Sequence, residues 1–327
     1  MMSDINKVVA VFPKEVILNE RYRPNKISDC ILKPDAKEVF LNIVKTDKLG
    51  NMLFYGPAGT GKTTVAKALC EEMGIEWILI NASSERTLDI IRTQIRTFAS
   101  TSSFTGKRKC VILDEADNLP EMTQTAFRAS IEEYSQNCSF IFTCNYPNKI
   151  IDPLKSRLVG IDFGVDTNTE LTLKYETFVR ICGILENEQI EYDEDVLLSL
   201  VTELYPDNRR ILNLIDYFSK QNNSINEGIL ANVKGESVDT LFTLLAEFKS
   251  ASSFKGIRKW CADHSKQDFH GFYDKLYSGL ESHVSPSDIP AAILIINDYQ
   301  RWDTSVLSKE VHLASLCLEL VTSCDFK

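Results

Sequence analysis

Between residues 52 and 163, short runs of consecutive apolar residues alternate with segments whose apolar residues recur every three or four positions. A strand buried on both faces reads as a continuous apolar run, whereas a helix lying on a sheet needs only one apolar stripe. The alternation therefore predicts a parallel sheet covered by helices. Strands are predicted at 52–55, 76–80, 109–113, 139–143 and 159–163, with helices at 62–73, 88–99 and 122–134 between them. Phe127, Ile131 and Tyr134 trace the buried stripe of the third helix. After Gly164 the strand-like runs stop. Helices are predicted at 170–186, 195–204 and 209–218, then a Gln-Asn-Asn-Ser loop at 221–224, then further helices at 238–248, 254–261, 271–278, 290–302 and 307–323. The expected organisation is an α/β domain over 1–164, a small helical domain over 165–229 and an all-α domain over 230–327.

Composition leaves that picture in place and narrows the function classes. The chain of 327 residues is 44% hydrophobic and 25% charged, as for an ordinary globular protein. No apolar run approaches the roughly 20 residues needed to span a bilayer, and the polar first ten residues do not read as a signal peptide. A membrane partner is therefore not expected. Nine cysteines without a C-x-x-C pair suggest reduced thiols in a cytoplasm-like compartment, that of a host cell if the protein is viral, and argue against a zinc site. The net charge of −10 is uneven: residues 1–163 carry 21 Lys/Arg against 20 Asp/Glu, and residues 164–327 carry 15 against 26. Any nucleic-acid partner would dock on the N-terminal half, because phosphate contacts depend on local basic surface.

The chemistry-bearing residues cluster at predicted strand ends. Gly56-Pro57-Ala58-Gly59-Thr60-Gly61-Lys62-Thr63-Thr64 holds a complete G-x-x-x-x-G-K-T after a strand and opening a helix. Such a loop turns backbone N–H groups onto phosphate oxygens, the lysine reaches the β and γ phosphates, and Thr63 offers its hydroxyl to Mg²⁺. Asp114 and Glu115 end the third strand, where Asp114 is suited to the Mg²⁺ shell and Glu115 to polarising an attacking water. Asn145 follows the fourth strand and is suited to orienting that water. Asp114-Glu115-Ala116-Asp117 also matches the motif of DEAD-box helicases, but a second α/β domain with its own arginine motif is missing.

P-loop, paired acids and terminal Asn, followed by a small helical domain, resemble the AAA+ ATPases. Glu20-Arg21-Tyr22-Arg23-Pro24 resembles the E-x-Y-R-P opening of the clamp-loader branch, which implies that Tyr22, Arg23 and Pro24 lie against adenine. Ser156-Arg157 resembles that branch's S-R-C segment, with Leu158 in place of Cys, and implies that Arg157 acts in trans on a neighbour's ATP. Asp207-Asn208-Arg209-Arg210 resembles G-D-x-R with Pro206 in place of Gly, which implies that Arg209, or failing it Arg210, reaches the γ phosphate. Among clamp loaders, themselves replication factor C-like, the likeness is greatest to the large subunit of T-even-type phage loaders. It implies an ATPase with Mg²⁺ as cofactor that assembles with copies of itself and a small subunit in a 4:1 pentamer, opens a ring-shaped sliding clamp and closes it on primer-template DNA. The C-terminal helices would form the collar of that ring. The resemblance further implies DNA contacts by Arg86, Thr87 and Arg92, and coupling of DNA to catalysis through Gln124 and Arg128. Lys107-Arg108-Lys109 reads as a solvated loop. Another AAA+ DNA machine, a branch-migration motor or an initiator, and a non-hydrolysing scaffold subunit remain as alternatives, although no basic recognition helix is seen and the catalytic set is intact.

Overall fold

The structure is a computed structural model that describes residues 17–83, 88–101, 103, 106–222, 224–230, 238–251, 254–265, 272–303 and 305–327. The chain divides into two compact units, passing from one to the other between Asn226 and Glu227.

In the first unit, β1 (Met52–Tyr55), β2 (Trp77–Asn81), β3 (Lys109–Asp114), β4 (Cys138–Cys144) and β5 (Val159–Asp162) form one parallel sheet in the order β2-β3-β4-β1-β5. Each predicted strand is present, offset by no more than one residue at either end. Side chains alternate between faces, so Phe54, Cys110 and Ile112 enter one apolar cluster while Leu53, Val111 and Leu113 enter another. The first cluster is closed by α2 (Pro34–Thr46) and α3 (Lys62–Glu72) through Phe40, Val65 and Leu69. The second is closed by α4 (Leu88–Ala99) and α5 (Glu121–Glu133) through Ile95, Phe127 and Ile131. Helix α2, with Pro34 in its first turn and Asp35 beside it, and the one-turn helices α1 (Leu18–Arg21) and α6 (Asp152–Lys155) are additions to the predicted elements.

The run Lys107-Arg108-Lys109 is a solvated loop only in part: Arg108 is exposed, but Lys109 opens β3 and is buried. Lys109 is 4% exposed, with its Nζ donating to Phe98 O and Thr101 Oγ1 at 3.1 and 2.6 Å. Lys107 donates to Met73 O, and Arg108 to Cys138 O. Three cations thus tie helix ends to the amino edge of the sheet, a use of charge that a run of basic letters does not distinguish from solvation.

Three helices, α7 (Glu170–Asn187), α8 (Glu194–Leu204) and α9 (Asn208–Asn222), complete the unit. Two features differ from expectation here: α9 runs through to Asn222, and β6 (Glu191–Tyr192) pairs in parallel with β7 (Ser224–Ile225) where only a polar loop was expected. A two-residue strand is too short for periodicity to reveal.

The second unit packs α10 (Val238–Ala251), α11 (Lys255–His264), α12 (Phe272–His283), α13 (Ile289–Trp302) and α14 (Lys309–Ser323) around a core that includes Leu241, Phe242, Leu276, Leu316 and Leu320. All nine cysteines of the chain are free thiols. Among the described residues no helix is long and apolar enough to cross a membrane.

Phe54 lies fully buried between Phe40 and Phe163, with ring centroids 5.2 Å from each. Phe54→Ala should destabilise the chain by about 3–5 kcal/mol, read as a lowered denaturant midpoint; an unchanged midpoint would show that the trio does not hold β1 in the sheet.

Candidate functional site

The carboxyl ends of β1, β3 and β4 lie side by side, and the loop that leaves β1 turns back over them. Gly56 has φ 142°, and a Cβ there would fall 2.8 Å from Gly164 N; Gly59 has φ 76°, and its Cβ would fall 1.9 Å from Asp207 Oδ1. Neither position has room for a side chain, because the loop is pressed between the end of β5 and the turn before α9. Gly61, also at positive φ, is the N-cap of α3, so Lys62 opens the helix and the positive end of its dipole faces the loop.

Lys62 is 8% exposed. Its ammonium donates to Gly56 O, Pro57 O and Asn145 Oδ1 at 2.8, 2.7 and 2.9 Å. Burial lowers its pKa to about 8, with the nearby Arg209 pushing the same way and Asp114 and Asp117 opposing. Thr63 Oγ1 donates to Asp114 Oδ1 at 2.6 Å, and Thr143 Oγ1 donates to the same oxygen. Glu115 sits in the left-handed region at φ 57°, its N–H donating to Thr143 Oγ1 at 3.2 Å. A non-glycine residue held there is a strained position of the kind that functional sites retain. Lys62, Thr63, Asp114, Glu115 and Asn145 are therefore brought together.

Two residues that sequence reasoning missed organise this group. Thr143, buried in β4, touches both acids through one hydroxyl. Asp117 accepts from the N–H groups of Asn145 and Tyr146 at 3.2 and 3.1 Å, fixing the backbone of the residue that meets Lys62. A polar residue within an apolar strand was the available signal for the first, and the fourth letter of the acidic motif for the second.

Beside the loop lies a cleft lined by Ile31, Leu32, Thr60, Phe163, Tyr205 and Pro206, among others. Its walls come from five separate stretches of sequence. Asn208 also lines it, with Oδ1 buried and unpaired among the described residues. Asp207 caps the N–H of Arg210 at 3.1 Å, and Arg209, exposed at the first turn of α9, is close enough to act on Lys62. Tyr22 turns its hydroxyl to Glu188 Oε1 at 2.6 Å, and burial together with that carboxylate pushes its pKa up to about 12. Arg23 Nη2 donates to Glu20 at 2.6 Å, while its buried Nε has no partner among the described residues.

Arg157 is not brought to this edge. It precedes β5, so it stands at the amino edge of the sheet, about 13 Å away along a four-residue strand. Its Nε and Nη2 donate to Glu132 Oε1 at 2.9 and 2.6 Å. Gln124 is buried and fully used: Nε2 donates to Leu119 O and Lys149 O, each at 3.0 Å, and Oε1 accepts from Ile151 N–H at 2.9 Å. Arg128, one turn on, is exposed. Arg86 and Thr87 lie outside the described residues; Arg92 falls on α4, and its side chain is likewise not described.

The donor set fits a hard divalent cation and phosphate. Thr63 and Asp114 present adjacent oxygens of the kind Mg²⁺ prefers, and the lysine bonds to loop carbonyls that phosphate oxygens can replace.

Comparison with known proteins agrees with this geometry. The family model for the ATPase family associated with various cellular activities (AAA) matches residues 52–164. That for the sliding-clamp-loader large subunit, AAA+ ATPase lid domain, matches residues 169–231. The sliding-clamp-loader large subunit of Enterobacteria phage T4 is 33% identical over 329 residues, covering 98% of this chain and 100% of the relative. Its counterpart from Escherichia phage RB69 is 32% identical over 326 residues, covering 98% and 100%. The replication factor C small subunit of Halobacterium salinarum is 35% identical over 240 residues, covering 70% and 72%. Among solved structures, a variant of Thermotoga maritima RuvB superposes with a TM-score of 0.57 at 15% identity, over 80% of this chain and 92% of that one, a likeness of fold alone. With relatives matching nearly its whole length and an AAA module followed by a clamp-loader lid, the chain belongs to the sliding-clamp-loader large-subunit family of AAA+ ATPases.

Proposed function

We propose that this chain is the ATPase subunit of a DNA sliding-clamp loader, using ATP to open a ring clamp and close it around primer-template DNA. The observation that carries the reading is the separation of the catalytic set. Lys62, Thr63, Asp114, Glu115 and Asn145 share the carboxyl edge of the sheet, while Arg157 stands at the amino edge, turned to Glu132. An arginine so placed suits a neighbour's site, which would make turnover depend on assembly. Its exposed pair with Glu132 is of a kind that costs little to exchange for a phosphate.

The chain's own residues divide the work as follows. The loop N–H groups from Gly56 to Thr64 and the Lys62 ammonium bind the phosphates, Lys62 exchanging the Gly56 and Pro57 carbonyls for phosphate oxygens. Mg²⁺, held by Thr63 and Asp114, would neutralise charge on the phosphates. Glu115 orients the attacking water, Asn145 helps to align it, and Arg209 reaches the γ phosphate from the lid. Tyr22, Arg23 and Pro24, with the cleft beside Thr60, take the adenine. Residues 1–164 then form the nucleotide-binding domain, 165–229 the lid and 230–327 the collar, within a pentamer of four such chains and one small subunit. Arg86, Thr87 and Arg92 are assigned to the DNA backbone. Gln124, tied to the turn after the acids and to the segment before Arg157, is assigned with Arg128 to coupling.

The assembled loader should hydrolyse ATP faster with clamp and primed DNA together than with either alone; rates indifferent to both ligands would refute clamp loading. In the same steady-state assay, Glu115→Gln and Arg157→Ala should each lower turnover by about 10³-fold. Mixing the two variants should restore activity, because a chain with Glu115 intact can then receive Arg157 from its neighbour. Failure of the mixture to recover would exclude a trans arginine.

Because burial lowers the pKa of Lys62 to about 8 and bound phosphate favours its charged form, ATP binding takes up a proton above that pH. ATP affinity should be level below pH 8 and fall by up to about tenfold per unit above it, and Lys62→Arg should move the fall to higher pH. A level affinity from pH 7 to 9.5, measured by titration calorimetry, would contradict this.

A further inference from the structure

Glu188 is the C-cap residue of α7, its backbone N–H closing the helix, and its carboxylate lies outside every motif. Arg21 Nη1 donates to both of its oxygens, at 2.6 and 2.7 Å, and Tyr22 Oη donates to Oε1 at 2.6 Å. The Arg21 and Glu188 side chains are only 16% and 20% exposed, so this is a charge-assisted cluster shielded from water. Two turns earlier on α7, Arg180 Nη2 donates to Tyr22 O at 2.9 Å, and its Nη1 donates to Asp29 O. Helix α1 also packs on α9. Residues 18–22 are thus fastened to the three-helix lid.

The chain is fastened to the sheet domain only a few residues later. Ile27 N–H donates to Glu72 Oε2 at 2.7 Å, at the last residue of α3, and Lys37 Nζ on α2 donates to Cys30 O at 3.0 Å. Residues 23–26 are therefore strung between an anchor on the lid and an anchor on the core. Arg23 and Pro24 belong to this span, in which Arg23 also pairs with Glu20 of α1.

We propose that Glu188 is a positioning residue for recognition of the nucleotide base: by holding Arg21 and Tyr22 on the lid, it carries the Tyr22-Arg23-Pro24 segment with the lid and presents it to the base. This rests on the reading of that segment as a wall of the adenine site. The phosphates are bound by elements that Glu188 does not touch, so its loss is felt by ligands with a base and not by phosphate alone.

The test compares the full-length chain with Glu188→Ala and Glu188→Gln, using ATP and inorganic tripolyphosphate in competition with a fluorescent ADP analogue. Glu188→Ala should weaken ATP by about tenfold, the loss expected when a charged acceptor is removed, and leave tripolyphosphate unchanged. Glu188→Gln keeps the size and one acceptor, so it should fall between and serve if the alanine variant folds poorly. In the assembled loader, KM for ATP should rise while kcat stays within about twofold. Equal weakening of both ligands, or weakening of neither, overturns the proposal. Arg23→Ala and Pro24→Gly separate this result from the reading beneath it: if both leave the ratio of ATP to tripolyphosphate affinity at the wild-type value, the segment is not a wall of the adenine site, whatever Glu188 does.

Discussion

A positive charge held almost out of water needs fixed oxygens around it, and Lys62 obtains them only when two separate parts of the chain are in register. Two carbonyls come from its own loop and the third oxygen from Asn145, which lies 83 residues away in sequence at the end of β4. That contact exists because β1 and β4 are hydrogen-bonded neighbours in parallel, with Tyr55 opposite Cys144. The buried ammonium therefore depends on the order of strands in the sheet. In turn it keeps the loop in the form that phosphate can enter, since the charge is desolvated in advance and held by groups of modest strength.

The same strand order decides the rest of the site. β3 runs beside β4, which sets Asp114 against Thr143 and allows one hydroxyl to serve both acids. Asp117 then returns from the following turn to hold the backbone of Asn145. The acids and the asparagine are thus not independent parts that happen to converge. They form one hydrogen-bonded group, so a disturbance at any member is felt at the others.

The two arginines assigned to the phosphates stand differently to this group. Arg209 approaches from α9, across a lid whose Asp207 presses against Gly59, and Arg157 faces away at the opposite edge of the sheet. On the proposed reading, in which Arg209 acts from the lid and Arg157 on a neighbour, turnover would report on assembly. The role proposed for Glu188 would extend that dependence from the phosphates to the base, through the anchoring of the N-terminal segment to the same lid.

How much of this was legible beforehand follows from the range of each interaction. The strands, the loop and the paired acids were visible in the sequence because each depends on neighbours a few positions away: a short continuous apolar run for a buried strand, glycines for a turn, a lysine at a helix start. Arg157, Arg209 and Tyr22 were reached only through family resemblance, since nothing local marks an arginine for a neighbour's site. Lys109 was misread, because burial of a lysine is settled by what packs over it. Thr143, Asp117 and Glu188 were not found, because each acts through partners that the fold alone makes adjacent. By itself the sequence determined the element types and the phosphate loop, which are short-range properties of the chain. Only the tertiary structure decided which side chains share the sheet's carboxyl edge and which face away from it, because strand order and lid position are set by burial of apolar surface across distant segments, and no local pattern encodes them.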